Sequence, residues 1–381
     1  MDYFLTEEQK SIQALARRIA GEKVVPVRAE LDETGTFPWG IMKTCAETGL
    51  FGVSIPEEYG GMGGGSFENC IVVEELSTAC LGVSVSYAAS LLGAYPILLG
   101  GSEAQKKKYL TEIASGKRLG AFALTEANAG SDAQGIRTEA TRAGDDYILN
   151  GTKQWITNGG EAEIYTVIAM TDRKKGGRGA TAFIVEKGME GFSFGKKENK
   201  LGIRASATRE LVFRDCKVPA ENVIGREGMG FILAMRTFDR TRPGIGAQAV
   251  GVARGALDEA VYYAREREQF EKKIISFQAI QHMLADMATK IETARALIYS
   301  TCRMIDAGVK DVTMASAMCK IVASDTAMQV TTDAVQLMGG SGYMKEYPVE
   351  KMMRDAKITQ IYEGTNQIMR QIIGLELIKQ L

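Results

Sequence analysis

The sequence predicts an α+β fold that is mostly helical, with a helical module at each end and a module of antiparallel strands between them. Helical periodicity runs through the first 120 residues and returns after residue 233, whereas the intervening segment consists of short runs rich in β-branched and aromatic residues. A chain of 381 residues also exceeds the size of a single hydrophobic core. We therefore predict three domains, at residues 1–120, 121–232 and 233–381.

The N-terminal module is predicted to begin with a helix. Thr6 precedes two acidic residues and an apolar-periodic stretch, which is the pattern of a helix start. The glycine-rich segment from Gly60 to Gly65 interrupts the periodicity and predicts a loop. A further helical stretch, FENCIVVEELSTAC, follows this loop.

The central segment predicts strands because its apolar runs are short and are bounded by Gly, Asn and Asp. Gly144-Asp145 and Asn150-Gly151 have the composition of tight turns between such strands. The runs are AFAL, DYILNG, QWITN, YTVIAM, ATAFIVEK and RELVFRD.

The C-terminal module predicts long helices. In the segment IQHMLADMATKIETARALI the apolar residues recur with the spacing of one helix face. Segments 245–269 and 312–338 show a similar periodicity. The first stripe consists of positions 280, 283, 284, 287, 291, 294, 297 and 298.

Composition excludes several function classes. The 46 basic and 47 acidic residues balance, whereas a nucleic-acid-binding protein normally has a basic excess. No run of about 18 apolar residues predicts a membrane span, and the N-terminus lacks the pattern of a signal peptide, so a cytoplasmic protein is expected. Six cysteines without metal-like spacing and one histidine, His282, predict no metal site and no histidine-based triad. The chemistry is therefore expected from carboxylates, hydroxyls, backbone groups or a bound cofactor.

Two segments are candidates for a ligand site, although no Rossmann or Walker phosphate loop occurs. LTEANAGSD (124–132) combines small residues, which let the backbone approach a ligand closely, with the hydroxyls of Thr125 and Ser131. An ordinary turn after a strand would have the same composition. QWITNGG (154–160) places Trp155 and Thr157 on one face of a strand, either against a flat ring system or in the core.

A charged segment, FDRTRPG (238–244), places Asp239, Arg240 and Arg242 around a predicted helix start. Such a group forms either a solvated charged face or a polar clamp at the mouth of a ligand site, where an arginine donates several hydrogen bonds.

The segment RDAKITQIYEGTNQIMR (354–370) places Glu363 among apolar and aromatic neighbours. The pKa of a carboxyl in such surroundings rises toward the range that is useful for a base. Gly364 permits an unusual backbone conformation that turns the side chain inward. A turn that caps the following helix through Thr365 is the alternative interpretation.

Taken together, seven segments resemble the acyl-CoA dehydrogenase family, in the family's order and over essentially the whole chain. Within the family the resemblance is greatest to the medium- and short-chain enzymes and their bacterial butyryl-CoA relatives. It implies a helical N-terminal domain, a middle β-barrel-like domain and a C-terminal four-helix bundle, with non-covalent FAD and a homotetramer. The segments are LTEANAGSD, QWITNGG, FDRTRP, REREQF, QLMGGSGY, EYPVEKMMRDAK and IYEGTNQI.

The resemblance also implies roles for individual residues. Thr157 would lie close to the reactive N5 edge of the flavin, and REREQF and QLMGG would hold FAD across a subunit interface. The positions that match FAD contacts are Phe122, Leu124, Thr125, Gly130, Ser131, Trp155, Ile156, Thr157, Arg267, Phe270, Gln278, Gln336, Gly339, Gly340, Thr365 and Gln367. The positions expected to contact the acyl-CoA are Ser84, Ala88, Ser131, Phe238, Asp239, Arg242, Tyr362 and Gly364.

The reaction that the resemblance implies is FAD-dependent α,β-dehydrogenation of a saturated acyl-CoA, of short or medium chain or alicyclic, to the 2-enoyl-CoA. Glu363 would remove the α-proton while the β-hydrogen leaves as hydride to flavin N5, and the electrons would pass to an electron-transfer flavoprotein. Thr241 stands where some family members carry the base, and a threonine cannot serve as one. Val83 stands where glutaryl-CoA dehydrogenases carry an arginine, which disfavours a dicarboxylic substrate. Tyr87 could limit the depth of the acyl pocket.

Three alternative functions share these residues. An acyl-CoA oxidase would pass its electrons to oxygen, but such chains are usually much longer. An enoyl-CoA reductase would run the same catalyst in reverse, and the sequence does not distinguish the directions. A non-catalytic scaffold of the same fold would be expected to have lost the base or the flavin contacts, whereas Glu363, Thr157, Arg267 and Gln336 are all present.

Overall fold

The structure, a computed structural model, describes residues 3–379 and has helices at both ends and strands in the middle, as predicted. Thr6 caps the first helix: its hydroxyl accepts from the backbone N–H of Gln9, and the Gln9 side chain accepts from the backbone N–H of Thr6. This reciprocal capping satisfies two backbone donors that a helix start leaves unpaired. The N-terminal helices are α1 (Glu7–Ile19), α2 (Arg28–Thr34), α3 (Trp39–Glu47), α4 (Ser66–Ala79), α5 (Leu81–Gly100), α6 (Glu103–Gln105) and α7 (Thr111–Ala114).

Helix α5 is the one described helix that is long and apolar enough to cross a membrane, with a mean hydropathy of 1.4 in its most apolar window. The sequence prediction overlooked it because serines and glycines interrupt the apolar run. In the fold 83% of that window is buried, against α4, the first strand of the middle module and the first long helix of the C-terminal module. Its apolar composition is therefore that of a core helix.

The middle module is one eight-stranded sheet in which most neighbours are antiparallel, as predicted. β4 differs, because it pairs in parallel with β1 and, at one residue pair, with β2. The ladder runs β6-β7-β3-β2-β4-β5-β8. The strands are β1 (Gly120–Ala123), β2 (Glu139–Ala143), β3 (Asp146–Thr157), β4 (Ile164–Met170), β5 (Ala180–Glu186), β6 (Phe192–Lys197), β7 (Thr208–Pro219) and β8 (Val223–Ile224).

The predicted turn at Gly144-Asp145 joins β2 to β3, but the predicted turn at Asn150-Gly151 is wrong. DYILNG and QWITN form the single strand β3, and Asn150-Gly151 marks a register shift against β7. Gly151 has φ +144°, and a Cβ there would lie 2.6 Å from Thr138 Oγ1. Glycine is therefore required at this point by close packing within the sheet.

The C-terminal module is built from long helices with a short hairpin between the first two. α8 packs against α4, α5, α9 and α10, and it approaches α4 so closely that a Cβ at Gly251 would lie 2.4 Å from Glu74 O. The elements are α8 (Gly230–Glu266), β9 (Glu268–Gln269), β10 (Lys272–Lys273), α9 (Gln278–Asp306), α10 (Thr313–Met338), α11 (Val349–Ala356) and α12 (Asn366–Lys379).

A helix start within FDRTRPG is also wrong, because α8 begins at Gly230 and continues through Pro243. A proline inside a helix leaves the carbonyl four residues earlier without its usual donor. Here that carbonyl belongs to Asp239, and Ser316 Oγ on α10 donates to it at 2.5 Å. The neighbouring helix therefore supplies the hydrogen bond that the proline removes.

Candidate active site

A cavity of about 450 Å³ lies where the three modules meet. Its walls come from α4 and α5, the segment after β1, the end of β3, α8, and the turn before α12. The cavity therefore brings together segments that are up to 300 residues apart in the chain. The sequence-predicted site residues that line it are Ala88, Phe122, Leu124, Thr125, Gly130, Ser131, Trp155, Ile156, Thr157, Phe238, Arg242, Tyr362, Glu363 and Gly364.

Glu363 lies on a strained turn between α11 and α12. Its own φ is +50°, in the left-handed region that a non-glycine residue rarely adopts, and the φ of Gly364 is +96°. The φ of Gly364 favours glycine, and a Cβ there would lie 2.5 Å from Met369 Cε, so the end of that methionine side chain would have to shift. Thr365 Oγ1 accepts from the backbone N–H of Ile368 at 3.2 Å and caps α12. The two interpretations of the EGT sequence are thus compatible, because the turn both caps a helix and directs Glu363 to the cavity.

The carboxyl of Glu363 has a pKa near neutrality. Burial raises its pKa to about 7, and three cationic or donor groups oppose this rise. Thr241 Oγ1 donates to Glu363 Oε2 at 3.0 Å, and Arg242 and Lys320 act through their charges. A carboxylate of this kind is ionised to a large extent at neutral pH and still has a high affinity for a proton.

Lys320, on α10, is a site residue that sequence reasoning missed. It is fully buried, and its ammonium donates to Gly364 O at 2.7 Å and to Asn366 Oδ1 at 2.9 Å. Burial lowers its pKa to about 7, while the charge of Glu363 opposes that change. Lys320 therefore holds the turn that carries Glu363. The available signal was a lysine within the locally apolar and small-residue run MASAMCKIVAS.

Arg242 forms a polar clamp rather than a solvated charged face. Its side chain is buried, its guanidinium lies 5.7 Å from the ring centroid of Phe238, and Nε donates to Glu363 O at 3.3 Å. Asp239 accepts from Arg242 Nη1 at 3.2 Å and from Thr313 Oγ1 at 2.9 Å. Asp239 itself does not line the cavity, so it acts through Arg242.

The segment after β1 is held against β3 by a buried ion pair that sequence reasoning also missed. Lys153 Nζ donates to Glu126 Oε1 at 2.7 Å and to Leu124 O at 2.9 Å. Burial lowers the pKa of Lys153 to about 8, and the charge of Glu126 opposes this. The pair lies directly behind the cavity-lining Leu124 and Thr125. A lysine at an inward-facing position of a strand was the only sequence signal.

Trp155, Ile156 and Thr157 all line the cavity, so the strict alternation of a strand is not kept. A register shift between Lys153 and Ile156 in the pairing with β7 accounts for this. Trp155 has φ +58° and is 57% exposed, although tryptophan is normally buried. The hydroxyls of Thr157, Thr125 and Ser131 have no hydrogen-bond partner among the described residues.

Two predictions for the acyl pocket are wrong. Ser84 is fully buried outside the cavity, where its hydroxyl donates to Val73 O at 3.0 Å. Tyr87 also lies outside, and its hydroxyl donates to Leu50 O at 2.8 Å, so it does not limit the depth of the cavity. Both side chains point into the packing between helices because α5 is buried on nearly all sides.

A second group of predicted residues lies outside the cavity on the surface of the chain. Tyr263, near the end of α8, donates to Ser341 Oγ at 3.1 Å and brings the β9–β10 region next to the end of α10. Thr365 is partly buried, whereas the other members of this group are exposed. The group consists of Arg267, Phe270, Gln278, Gln336, Gly339, Gly340, Thr365 and Gln367.

Comparison with known proteins identifies the family. Residues 6–117, 121–216 and 228–378 match the N-terminal, middle and C-terminal domains of acyl-CoA dehydrogenase. The chain belongs to the acyl-CoA dehydrogenase family. It is therefore an oxidoreductase of a flavin-dependent family, and the predicted resemblance and three-part fold are confirmed.

Individual relatives match over nearly their full length. Butyryl-CoA dehydrogenase from Megasphaera elsdenii is 48% identical with a TM-score of 0.97, covering 99% of this chain and 100% of that one. A chain from a structural study of the electron transferring flavoprotein of Acidaminococcus fermentans is 50% identical with a TM-score of 0.97, covering all of both chains. Acryloyl-CoA reductase (NADH) from Anaerotignum propionicum is 48% identical over 382 residues, covering 100% of this chain and 97% of the relative.

Proposed function

We propose that this acyl-CoA dehydrogenase family member removes two hydrogens from a saturated acyl-CoA to form the 2-enoyl-CoA, with Glu363 as the base. The observation that carries the proposal is the Glu363 carboxyl on the cavity wall, with its pKa raised by burial to about 7. The α-hydrogen of a thioester is weakly acidic, so its removal near neutral pH needs a base whose proton affinity matches the task.

The turn at Glu363 also offers a donor for the thioester carbonyl. The backbone N–H of Glu363 donates to no described residue. A fixed donor beside the base would stabilise the negative charge that develops on the carbonyl oxygen as the proton leaves. Lys320 Nζ donates to the carbonyl oxygen of Gly364, the next residue, at 2.7 Å. This bond would keep the backbone N–H of Glu363 in place. One short turn would thus supply both the base and part of the oxyanion site.

Non-covalent FAD fits the opposite wall. The exposed indole of Trp155 and the unpartnered hydroxyls of Thr125, Ser131 and Thr157 are suited to a flat ring system with polar edges. When bound, FAD would accept the hydrogen that leaves the β-carbon. The exposed group that includes Arg267 is proposed to hold FAD of a neighbouring subunit in a homotetramer. The homotetramer rests on the family resemblance, and the cytoplasmic location remains a prediction from the sequence pattern.

The acyl-CoA is proposed to enter past Ser131, Phe238 and Arg242. Arg242, held by Asp239, donates to the carbonyl of Glu363 and leaves part of its guanidinium for the ligand. The acyl group would contact Ala88, Tyr362 and Gly364. The acyl group is proposed to be of short or medium chain or alicyclic, and it would share the cavity of about 450 Å³ with the flavin ring.

Electron-transfer flavoprotein is proposed as the electron acceptor, which the 50% identity to a chain from the Acidaminococcus fermentans study supports. A second candidate is the reverse reaction, reduction of a 2-enoyl-CoA, which the 48% identity to acryloyl-CoA reductase supports. An oxidase would instead consume oxygen. A non-catalytic scaffold would bind no flavin or would leave it oxidised.

Anaerobic titration tests the proposal. The purified protein is expected to have the visible spectrum of oxidised flavin, and a matching saturated acyl-CoA should bleach it. Glu363→Gln should keep the flavin and lose the bleaching. A flavin that stays oxidised with every saturated acyl-CoA but, once reduced, is reoxidised by an enoyl-CoA would support the reductase. A colourless protein that does not take up added FAD would contradict both.

A further inference from the structure

The wall of the cavity that receives the acyl group contains an amide with no partner. Asn69, on α4, is 9% exposed and lines the cavity. Its Oδ1 is buried without a hydrogen-bond partner, and its Nδ2 donates to no described residue. Buried amides in proteins are almost always paired, and leaving one unpaired costs stability. An unpaired amide that faces a ligand cavity is therefore available to pair with the ligand.

A second amide faces the same cavity from α8. Gln248 is 2% exposed, and its Oε1 accepts from the hydroxyl of Tyr362. This bond fixes the orientation of the amide and turns Nε2 away from Tyr362, and Nε2 donates to no described residue. Gln248 therefore offers one fixed donor beside the turn that carries Glu363.

The packing of α4 on α8 places these two cavity-lining residues at nearly the same height along the paired helices. Gly251 of α8 faces Glu74 of α4, and Gly255 of α8 faces Thr78 of α4. The two helices therefore lie side by side and run in the same direction in a fixed register. The same register places Asn69 level with position 246, about 3 Å along the axis from Gln248 at 1.5 Å per residue. Most of this wall is apolar and consists of Val85, Ala88, Leu91, Leu92, Ile245 and Ile372, while Tyr95 and Gln371 also line the cavity.

A hydrocarbon chain would leave both amides unpaired, whereas a hydroxyl group satisfies both. It would accept from Gln248 Nε2 and donate to Asn69 Oδ1, an atom that is covered in this structure but that a turn of the unpaired amide about its terminal bond would bring to the cavity. A carboxylate is a poorer match, because Arg242 is the only cationic side chain among the described lining residues and is already paired with Asp239 and the carbonyl of Glu363.

We propose that the preferred substrate is an acyl-CoA whose acyl group carries a neutral hydroxyl, held between Asn69 and Gln248. This inference rests on the proposed dehydrogenase function. It makes Asn69 and Gln248 residues that determine specificity, and it places no demand on the chemistry at the α- and β-carbons.

Paired substrates test the inference. Saturated acyl-CoAs with straight chains of different length and with a cyclohexane ring are each compared with a counterpart that carries a distal hydroxyl. The rate of anaerobic flavin reduction gives kcat/KM for each. One hydroxylated compound should exceed its parent by about 10-fold or more, because a site with unpaired polar groups discriminates against ligands that cannot pair with them.

The variant Asn69→Leu, which replaces the amide by an apolar group of similar size, should lower kcat/KM for that hydroxylated compound and raise it for the parent. Asn69→Ala serves as a second variant should the leucine not fold. Loss of preference in either variant supports the inference. Equal effects on both compounds, or no hydroxylated compound that exceeds its parent, would overturn it. If neither series reduces the flavin, the proposed function fails as well.

A matched asparagine controls for stability. Asn222 is buried outside the cavity, and its Nδ2 donates to Ile184 O at 2.8 Å. Asn222→Leu should lower the melting temperature because it breaks a satisfied bond, whereas Asn69→Leu should raise it. If the melting temperature falls by a similar amount in both variants, ordered water or a structural contact already satisfies the Asn69 amide. That result would contradict a role of Asn69 in substrate binding.

Discussion

Replacing Glu363 by glutamine should separate the proposed catalytic role of this residue from its cost to stability. Glutamine preserves the size of the side chain and can still accept from Thr241, which lies 3.0 Å from Glu363 Oε2. It cannot take up a proton. Flavin reduction by substrate should therefore fall by about 10²- to 10⁴-fold, the usual contribution of a general base.

The same substitution should stabilise the protein, and the sign follows from the pKa. Burial raises the pKa of Glu363 from 4.5 to about 7 in the folded protein. Between these values the folded state binds more protons than the unfolded state, so stability falls as the pH rises. At 1.36 kcal/mol per pH unit the full loss above pH 7 is up to about 3 kcal/mol. Glutamine does not ionise, so the variant should avoid this loss at alkaline pH and show no gain below a pH of about 4.5.

Unfolding midpoints at about pH 5 and about pH 8, with stopped-flow flavin reduction alongside, measure both effects. The variant Glu22→Gln, at an exposed position in the N-terminal module, controls for the general effect of removing a carboxylate. If Glu363→Gln reduces its flavin at the wild-type rate, Glu363 is not the base. If the unfolding midpoint of Glu363→Gln exceeds that of the wild type by the same amount at both pH values, burial does not raise the pKa of Glu363.

Three further predictions concern the supports of this site. Thr241→Val removes the donor that lowers the pKa of Glu363, so the pH midpoint of flavin reduction should move to higher pH, and an unchanged profile would refute this. Gly364→Ala should destabilise the protein by about 1–3 kcal/mol in denaturant titrations because of its φ of +96°, whereas Gly374→Ala, in the open face of α12, should be neutral or stabilising. Lys153→Met leaves the buried carboxylate of Glu126 without its cationic partner and should lower the free energy of unfolding by about 3–5 kcal/mol. Unchanged unfolding midpoints would contradict this prediction.

Local pattern was enough to predict much of this protein. The capping residue Thr6, the loop of glycines at 60–65 and the long stripe on α9 follow from interactions within a few residues, so their prediction needs no knowledge of the fold. Glu363 could be selected in the same way, because its apolar neighbours and the following glycine are adjacent in sequence.

Predictions failed where a distant segment changed a local preference. A helix start is predicted within FDRTRPG, yet α8 continues through Pro243, and Ser316, 73 residues later, donates to the carbonyl that the proline leaves free. Asn150-Gly151 predicts a turn, yet the glycine lies within β3, packed against Thr138. In both cases the contact that decides the conformation is made by another element.

By itself the sequence determined the order of helices and strands, the family and the choice of Glu363, since each depends on residue types at short or characteristic spacings. Only the tertiary structure decided which buried polar groups have partners. Lys320 has two acceptors on the turn after Glu363, whereas Asn69 has none among the described residues. The sequence contains no signal for this difference, because a buried polar side chain is satisfied or left free by atoms that folding brings from other helices.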